Sequence, residues 1–232
     1  PAKFFAGKPY IMGHTAEFIA QHLDITRQEM DEVALRSHNN TERATREGLF
    51  AEEIVPFEIP QKKKAPLIFD KDEHFRPGLT MADLAKLPPA FIPDGGKVTA
   101  GNSSGINDGA AAMVIMSAER AKALGLKPLA TIRATGRGAC HPSVMGLSPV
   151  PAVRDLLQKS GLKINAFELI EVNEAFAAQY IGCERELGLN REVVNINGSG
   201  IGLGHPVGAT GCRIMVTLIH ALRRNNKRLG MA

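Results

Sequence analysis

Residues 195–224 read Asn195-Ile-Asn-Gly-Ser-Gly-Ile-Gly-Leu-Gly-His-Pro-Val-Gly-Ala-Thr-Gly-Cys-Arg-Ile-Met-Val-Thr-Leu-Ile-His-Ala-Leu-Arg-Arg224. Six glycines fall within fourteen residues (198, 200, 202, 204, 208 and 211), between a strand-like stretch and a helical one. Glycines at this density let backbone approach a ligand or another backbone closely. The helix that follows, expected over residues 210–224, carries Cys212, Ile214, Met215, Val216, Leu218, Ile219, Ala221 and Leu222, with almost no polar face before Arg223. A helix apolar all round belongs between layers rather than on a surface. That reading predicts more than three layers, with a helix sandwiched between sheets.

Working outward, strand-like and helical stretches alternate. Strands are expected at 97–100, 110–116, 129–134, 167–172 and 193–197. Helices are expected after Ser117, from Pro151 to Gly161 and over 173–187. This alternation predicts an α/β layered fold. Upstream, Thr26-Arg27-Gln28-Glu29 is a capping box that opens a helix with Met30, Val33, Ala34 and Ser37 inward and Gly48 as its stop. A shorter helix is expected at about 15–23. Residues 51–97 hold seven prolines, the Lys62-Lys63-Lys64 run and short extended pieces at 53–59 and 67–69. Such a composition suits a loop-rich subdomain laid over a core.

Composition excludes several classes. With 28 Lys+Arg against 24 Asp+Glu the net charge is +4, both signs are interspersed, and Trp is absent. Few stacking platforms for bases remain, which argues against nucleic acid as the partner. No apolar run approaches the roughly 20 residues of a membrane span. Cys140, Cys183 and Cys212 are widely spaced and odd in number, so neither a disulfide framework nor a zinc ribbon is expected. A reducing, cytoplasmic compartment fits. The chain starts at Pro1, and 232 residues are expected to be less than the whole protein.

Three segments could carry chemistry. His205 is held by Pro206 inside the glycine-rich turn, and imidazole is a natural general base that can also donate to a developing oxyanion. A structural or surface histidine is the plain alternative. G-x-G-x-x-G fails in every register of the turn, and no P-loop Lys-Ser/Thr follows. In Glu171-Val-Asn-Glu-Ala-Phe-Ala-Ala-Gln179, Asn173 stands where a strand ends and a helix begins, the edge at which α/β folds place ligands. It would either hold a water or cap the helix. Gly101-Asn-Ser103-Ser-Gly105 matches the serine-hydrolase elbow literally, but Asn107-Asp108-Gly109 interrupts where a helix should start.

Together these segments resemble the thiolase family of acetyl-CoA acetyltransferases and 3-ketoacyl-CoA thiolases. The matching stretches are Met12-Gly-His-Thr-Ala-Glu17, Pro89-Ala-Phe91, residues 99–112, Asn173-Glu-Ala-Phe176 and Gly204-His-Pro-Val-Gly-Ala-Thr-Gly211, in the family's order along the chain. The resemblance implies a layered αβαβα core, here partial, with a loop domain. Residues 1–97 would be the coenzyme A-covering loop domain, 98–117 a strand segment of the N-terminal half, and 118–232 the C-terminal half without its last strands.

It also implies Claisen chemistry by a Cys/His/Asn mechanism. The residue matching His205 activates the cysteine and, with a water held by Asn173, binds the thioester oxyanion. Ser104 would lie near the pantetheine, with Met12, Ala90, Phe91, Ala100, Ala175 and Phe176 lining the tunnel and Arg76 near the adenine-phosphate end. Coenzyme A thioester is then substrate, with no cofactor and no metal, and the assembly is a homodimer or homotetramer. Both catalytic-cysteine regions are expected outside this segment, upstream of the loop domain and beyond Leu229-Gly-Met-Ala232. The segment alone is therefore expected to be inactive. The alternative is a non-catalytic coenzyme A-binding or scaffold subunit that needs a partner chain.

Overall fold

The computed structural model describes residues 11–232; the first ten residues of the expected loop domain lie outside them. Helix α1 (Met12–His22) starts three residues earlier than expected, and α2 (Arg27–Arg46) starts where the capping box places it. Thr26 Oγ1 accepts the Glu29 N–H at 3.1 Å, and Glu29 reaches back to the Thr26 N–H at 2.7 Å. Two of the amides left unpaired at the start of the helix are thereby satisfied. Met30, Val33, Ala34 and Ser37 all face inward.

Further along come β1 (Phe57–Ile59), β2 (Leu67–Phe69), α3 (Met81–Ala85), α4 (Ala118–Ala123), α5 (Pro149–Ser160) and β3 (Leu169–Ile170). The chain ends with α6 (Ala177–Leu187), the short α7 (Gly200–Leu203), α8 (Val207–Arg224) and β4 (Gly230–Met231). β1 and β2 form an antiparallel hairpin whose residues are all exposed, an arm consistent with the loop-rich reading of this stretch. β3 pairs in parallel with β4 and, through Ile170, with Val194.

The core gathers α1, α2 and α6. Ile19 and Ala20 from α1 meet Met30 and Ala34 from α2 and Ala178, Tyr180 and Ile181 from α6, all buried. Ile201 from α7 joins them, so the glycine-rich segment is anchored in the core. Its closeness to α2 explains part of the glycine count: a Cβ on Gly202 would stand 2.3 Å from Thr41 Oγ1 and 2.7 Å from the Ser37 carbonyl oxygen.

Several expectations change. Residues 110–116 and 129–134 carry no ladder among the described residues, and Val114, Ile115 and Ile132 are exposed at 86%, 67% and 52%. These apolar runs have strand composition but no paired neighbour, and a strand exists only where a second backbone takes its hydrogen bonds. Residues 97–100 are likewise not a strand. Their amides go to side chains: Glu17 of α1 accepts from the N–H groups of Lys97 and Val98 at 2.9–3.0 Å.

The last helix is not apolar all round. Arg213, Thr217 and His220, at helical spacing, form one polar row facing Glu171, Glu53 and Glu52. Leu218 and Ala221 pack on Leu169 of β3, while Ile214, Met215, Val216 and Ile219 are half-buried. Arginine, threonine and histidine spread through an otherwise oily run are easily overlooked, yet i, i+4, i+7 spacing places them on one side.

Buried Asn102 ties the segment leading to the site. Its Oδ1 accepts the Thr99 N–H at 2.8 Å, and its Nδ2 donates to Asp31 at 2.9 Å and the Lys97 carbonyl at 3.1 Å. Asn102→Ala leaves these groups unpaired away from water and should lower the unfolding free energy by about 3 kcal/mol. Urea melts check this; a loss below about 0.5 kcal/mol, the size of an ordinary surface substitution, would contradict it.

Candidate active site

His205 follows Gly204, whose φ of +95° suits glycine alone. Its backbone N–H donates to Asn107 Oδ1 at 3.2 Å, and its Nδ1 lies 2.7 Å from Thr210 Oγ1 in the first turn of α8. Thr210 thus fixes the ring from one side. Nε2 is left as the ring nitrogen without a short bond. Its neighbour is the Asn173 Nδ2, 3.4 Å from either ring nitrogen, too long for a strong hydrogen bond and close enough to share a small bound group. Asn173 does not cap α6, whose N-cap is Phe176; that alternative falls. Its Oδ1 is buried and has no hydrogen-bond partner among the described residues. An unpaired buried amide oxygen costs about 1–3 kcal/mol, which a donating water or ligand would remove.

Burial, and secondarily the nearby Arg213, lower the pKa of His205 below that of free imidazole. The ring is therefore neutral at pH 7 and able to accept a proton. Arg213 itself sits 3.9 Å from Glu171, a loose pair. Glu171 is 3% exposed, and burial raises it to about 8 despite Arg213. Burial likewise raises Glu53 to about 7.

Some of the expected lining residues meet along the chain that follows Asn173. Ser104 donates through both N–H and Oγ to the Ala175 carbonyl, at 3.0 and 3.1 Å. The Phe176 ring meets Phe91 edge-on at 6.2 Å. Gly13, next to Met12, lies against that Phe91 ring, where a Cβ would come within 2.2 Å. Met12 is 54% exposed at the start of α1. The Ala90 N–H donates to the Val98 carbonyl at 2.8 Å, which keeps Ala90 and exposed Ala100 on the same loop strip.

Arg76 stands apart and exposed. Its N–H donates to His38 Nδ1 at 3.2 Å, and its link to the centre runs through His74, which stacks on His38 and approaches Asn107. Ser103 is no elbow nucleophile: its Oγ donates to the Thr99 carbonyl at 2.7 Å. Cys183 is buried and its thiol pushed up to about 12, while Cys140 is engaged with the Val144 carbonyl and Ser148.

Sequence reasoning missed Asn107, Thr210, Ser37 and Glu174. Asn107 stood in plain view in an Asn-Asp-Gly stretch that reads as an interruption. Thr210 lies five residues beyond His205, where the helix start brings it back to the ring.

The chain matches the thiolase N-terminal domain over residues 4–119 and the thiolase C-terminal domain over residues 126–232. It belongs to the thiolase family. It is similar to the acetyl-CoA acetyltransferase of Chromobacterium violaceum, 48% identical over 223 residues, covering 96% of this chain and 57% of that protein. The 3-ketoacyl-CoA thiolase of Aeromonas hydrophila is 47% identical over 234 residues, covering 100% of this chain and 60% of the relative. Among solved structures, the Bacillus anthracis acetyl-CoA acetyltransferase superposes with a TM-score of 0.93 at 50% identity, over 97% of this chain and 56% of that one. The fold is thus a partial α/β thiolase core, and this thiolase chain spans a little over half the length of the relatives it matches.

Two predictions follow from this geometry. Gly204→Ala strains a left-handed backbone and drives a Cβ to 2.5 Å from Asn107 Oδ1. The His205 N–H to Asn107 bond should break, seen as displaced His205 amide and ring signals in ¹⁵N NMR; unchanged signals would contradict it. Burial also lowers His38 to about 4, so the unfolded chain binds the extra proton between about pH 4 and the free value of about 6.5. Stability from this group is complete above that free value and falls with pH across the window, by up to about 3 kcal/mol. Replacing His38 with Asn, which keeps an acceptor for the Arg76 N–H, should flatten this acid limb in melts at pH 4 to 7; an unchanged slope would contradict it.

Proposed function

We propose that the protein is an acyl-CoA C-acyltransferase, transferring an acetyl or acyl group between coenzyme A thioesters in acetoacetyl-CoA formation or 3-ketoacyl-CoA thiolysis. The observation that carries the reading is the approach of the Asn173 amide to the His205 ring, on a chain whose next residues, Ala175 and Phe176, contact Ser104 and Phe91. A neutral imidazole takes the proton of a thiol; the thiolate attacks the thioester carbonyl, and the charge develops on oxygen. The imidazolium N–H and a water on Asn173 would then donate to that oxygen before the coenzyme A thiolate leaves with the proton. The reading takes the nucleophile to be a cysteine outside these 232 residues, as the family resemblance implies. Cys183 and Cys140 do not suit the role, the first for its raised pKa and the second for its bonds to Val144 and Ser148.

In this reading coenzyme A and acyl-CoA are the small-molecule partners, and the thioester is substrate, with no dissociable cofactor. Ser104 faces the pantetheine, and Arg76, on its exposed loop, faces the adenine-phosphate end. Free thiols at Cys140, Cys183 and Cys212 support a cytoplasmic setting. The reading assigns the protein at its natural length to a homodimer or homotetramer.

The test is thiolysis of acetoacetyl-CoA by the protein at its natural length. Removal of a general base typically costs 10²–10⁴-fold, so His205→Ala should lower kcat/KM by at least about 100-fold while the protein still melts cooperatively. Undiminished turnover in His205→Ala would overturn the reading.

A further inference from the structure

Glu174 follows Asn173 directly, is 1% exposed, and takes no part in the chemistry above. Its carboxylate receives three donors. Ser37 Oγ of α2 and the Ile201 N–H, at 3.4 Å, converge on Oε2; Asn195 Nδ2 donates to Oε1 at 2.9 Å. Each partner is fixed in its role. Ser37 Oγ already accepts the N–H groups of Ser199, at 3.2 Å, and Gly202, at 2.9 Å, so its own proton goes to Glu174. Asn195 Oδ1 accepts the Val172 N–H at 2.8 Å, which turns its NH₂ toward the Val172 carbonyl and Glu174. Asn195 holds a φ of 49° to do this. One acceptor-only side chain thus binds the strand end that carries Asn173, the turn that leads to His205, and helix α2.

We propose that Glu174, acting with Ser37, is a positioning residue that sets the separation and orientation of Asn173 and His205. The role of those two groups rests on the acyltransferase reading; the clamp itself does not. No polar contact links Glu174 to His205, so it acts through the backbone. The turn lies against α2 from Gly198 to Gly202 and has left it by Gly204, and Ser37 holds the amide of Gly202 while Glu174 holds that of Ile201. A shift of these amides moves the His205 backbone three to four residues on, while the Asn173 backbone moves with Glu174 as its neighbour. Glutamine cannot substitute. Whichever way its amide turns, an NH₂ confronts either Asn195 or the Ser37 and Ile201 donors.

The test uses Glu174→Gln, Ser37→Ala and the double variant in the protein at its natural length, with Lys62→Ala as control. Ser37→Ala deletes a single oxygen and carries the comparison if Glu174→Gln does not fold. Two readouts are taken: acetoacetyl-CoA thiolysis, and the ring ¹⁵N signals of His205 by NMR. The expected result is a kcat lowered about tenfold or more with KM within about twofold, consistent with the sensitivity of catalysis to displacements near 1 Å. The double variant should be no worse than the weaker single, because both act through one network. His205 signals should shift in both variants and not in Lys62→Ala. A retained kcat, multiplying losses, or an unmoved His205 in a folded variant would overturn the proposal. If the parent protein shows no thiolysis, the acyltransferase reading fails, and the NMR comparison alone decides whether Glu174 positions His205.

Discussion

Burying a carboxylate is expensive unless donors replace the water it loses, and Glu174 meets that condition with Ser37, Asn195 and Ile201. The arrangement of the rest of the site depends on it. The glycine-rich turn has few side chains with which to pack, so its path has to be fixed by its amides. Those amides go to Ser37 and Glu174, while the missing Cβ atoms at Gly198 and Gly202 let the backbone lie against α2. Helix α2 is in turn set by its capping box and by its core face, which packs on α6. A local signal in the sequence, Thr26 with Glu29, therefore contributes to the position of a histidine nearly 180 residues away.

The charges divide into two groups around this frame. Glu174 is surrounded by donors, whereas Glu171, three residues earlier, has an unpaired Oε2 and only the distant Arg213 for compensation. Burial raises both above the ordinary carboxylate range, Glu171 to about 8, whereas at Glu174 the hydrogen bonds from Ser37, Asn195 and Ile201 oppose the rise. Arg213 helps keep His205 neutral, and its charge also opposes the burial-driven rise at Glu53 and Asp72 of the loop region. The polar row on α8 is thus the counterpart of acids contributed by separate parts of the chain.

Much of this was legible in the sequence where the determinants are local. The capping box, the stop at Gly161, the inward face of α2 and the importance of the glycine-rich turn all follow from residues within one or two turns. Of the residues singled out by resemblance, Asn173 approaches His205, Ser104 bonds to Ala175, and Phe91 meets Phe176. What escaped depends on distant chain. Residues 110–116 and 129–134 have strand composition, but strands need neighbours, and pairing is not encoded within the run. Asn107, Thr210, Ser37 and Glu174 gain meaning only when the fold brings them against His205 or Asn173. The apparent uniformity of α8 hid Arg213, Thr217 and His220 because their partners, Glu171, Glu53 and Glu52, lie far away in sequence.

In the proposed reaction His205 and Asn173 jointly receive the thioester oxygen. The most direct measurement is a crystal structure of the protein at its natural length with an acyl-CoA thioester bound. The carbonyl oxygen should lie about 3 Å from His205 Nε2, near the hydrogen-bond optimum, with a water on Asn173 as second donor and the pantetheine passing Ser104. A thioester seated elsewhere, with His205 Nε2 turned away from it, would rule out this role for the two residues.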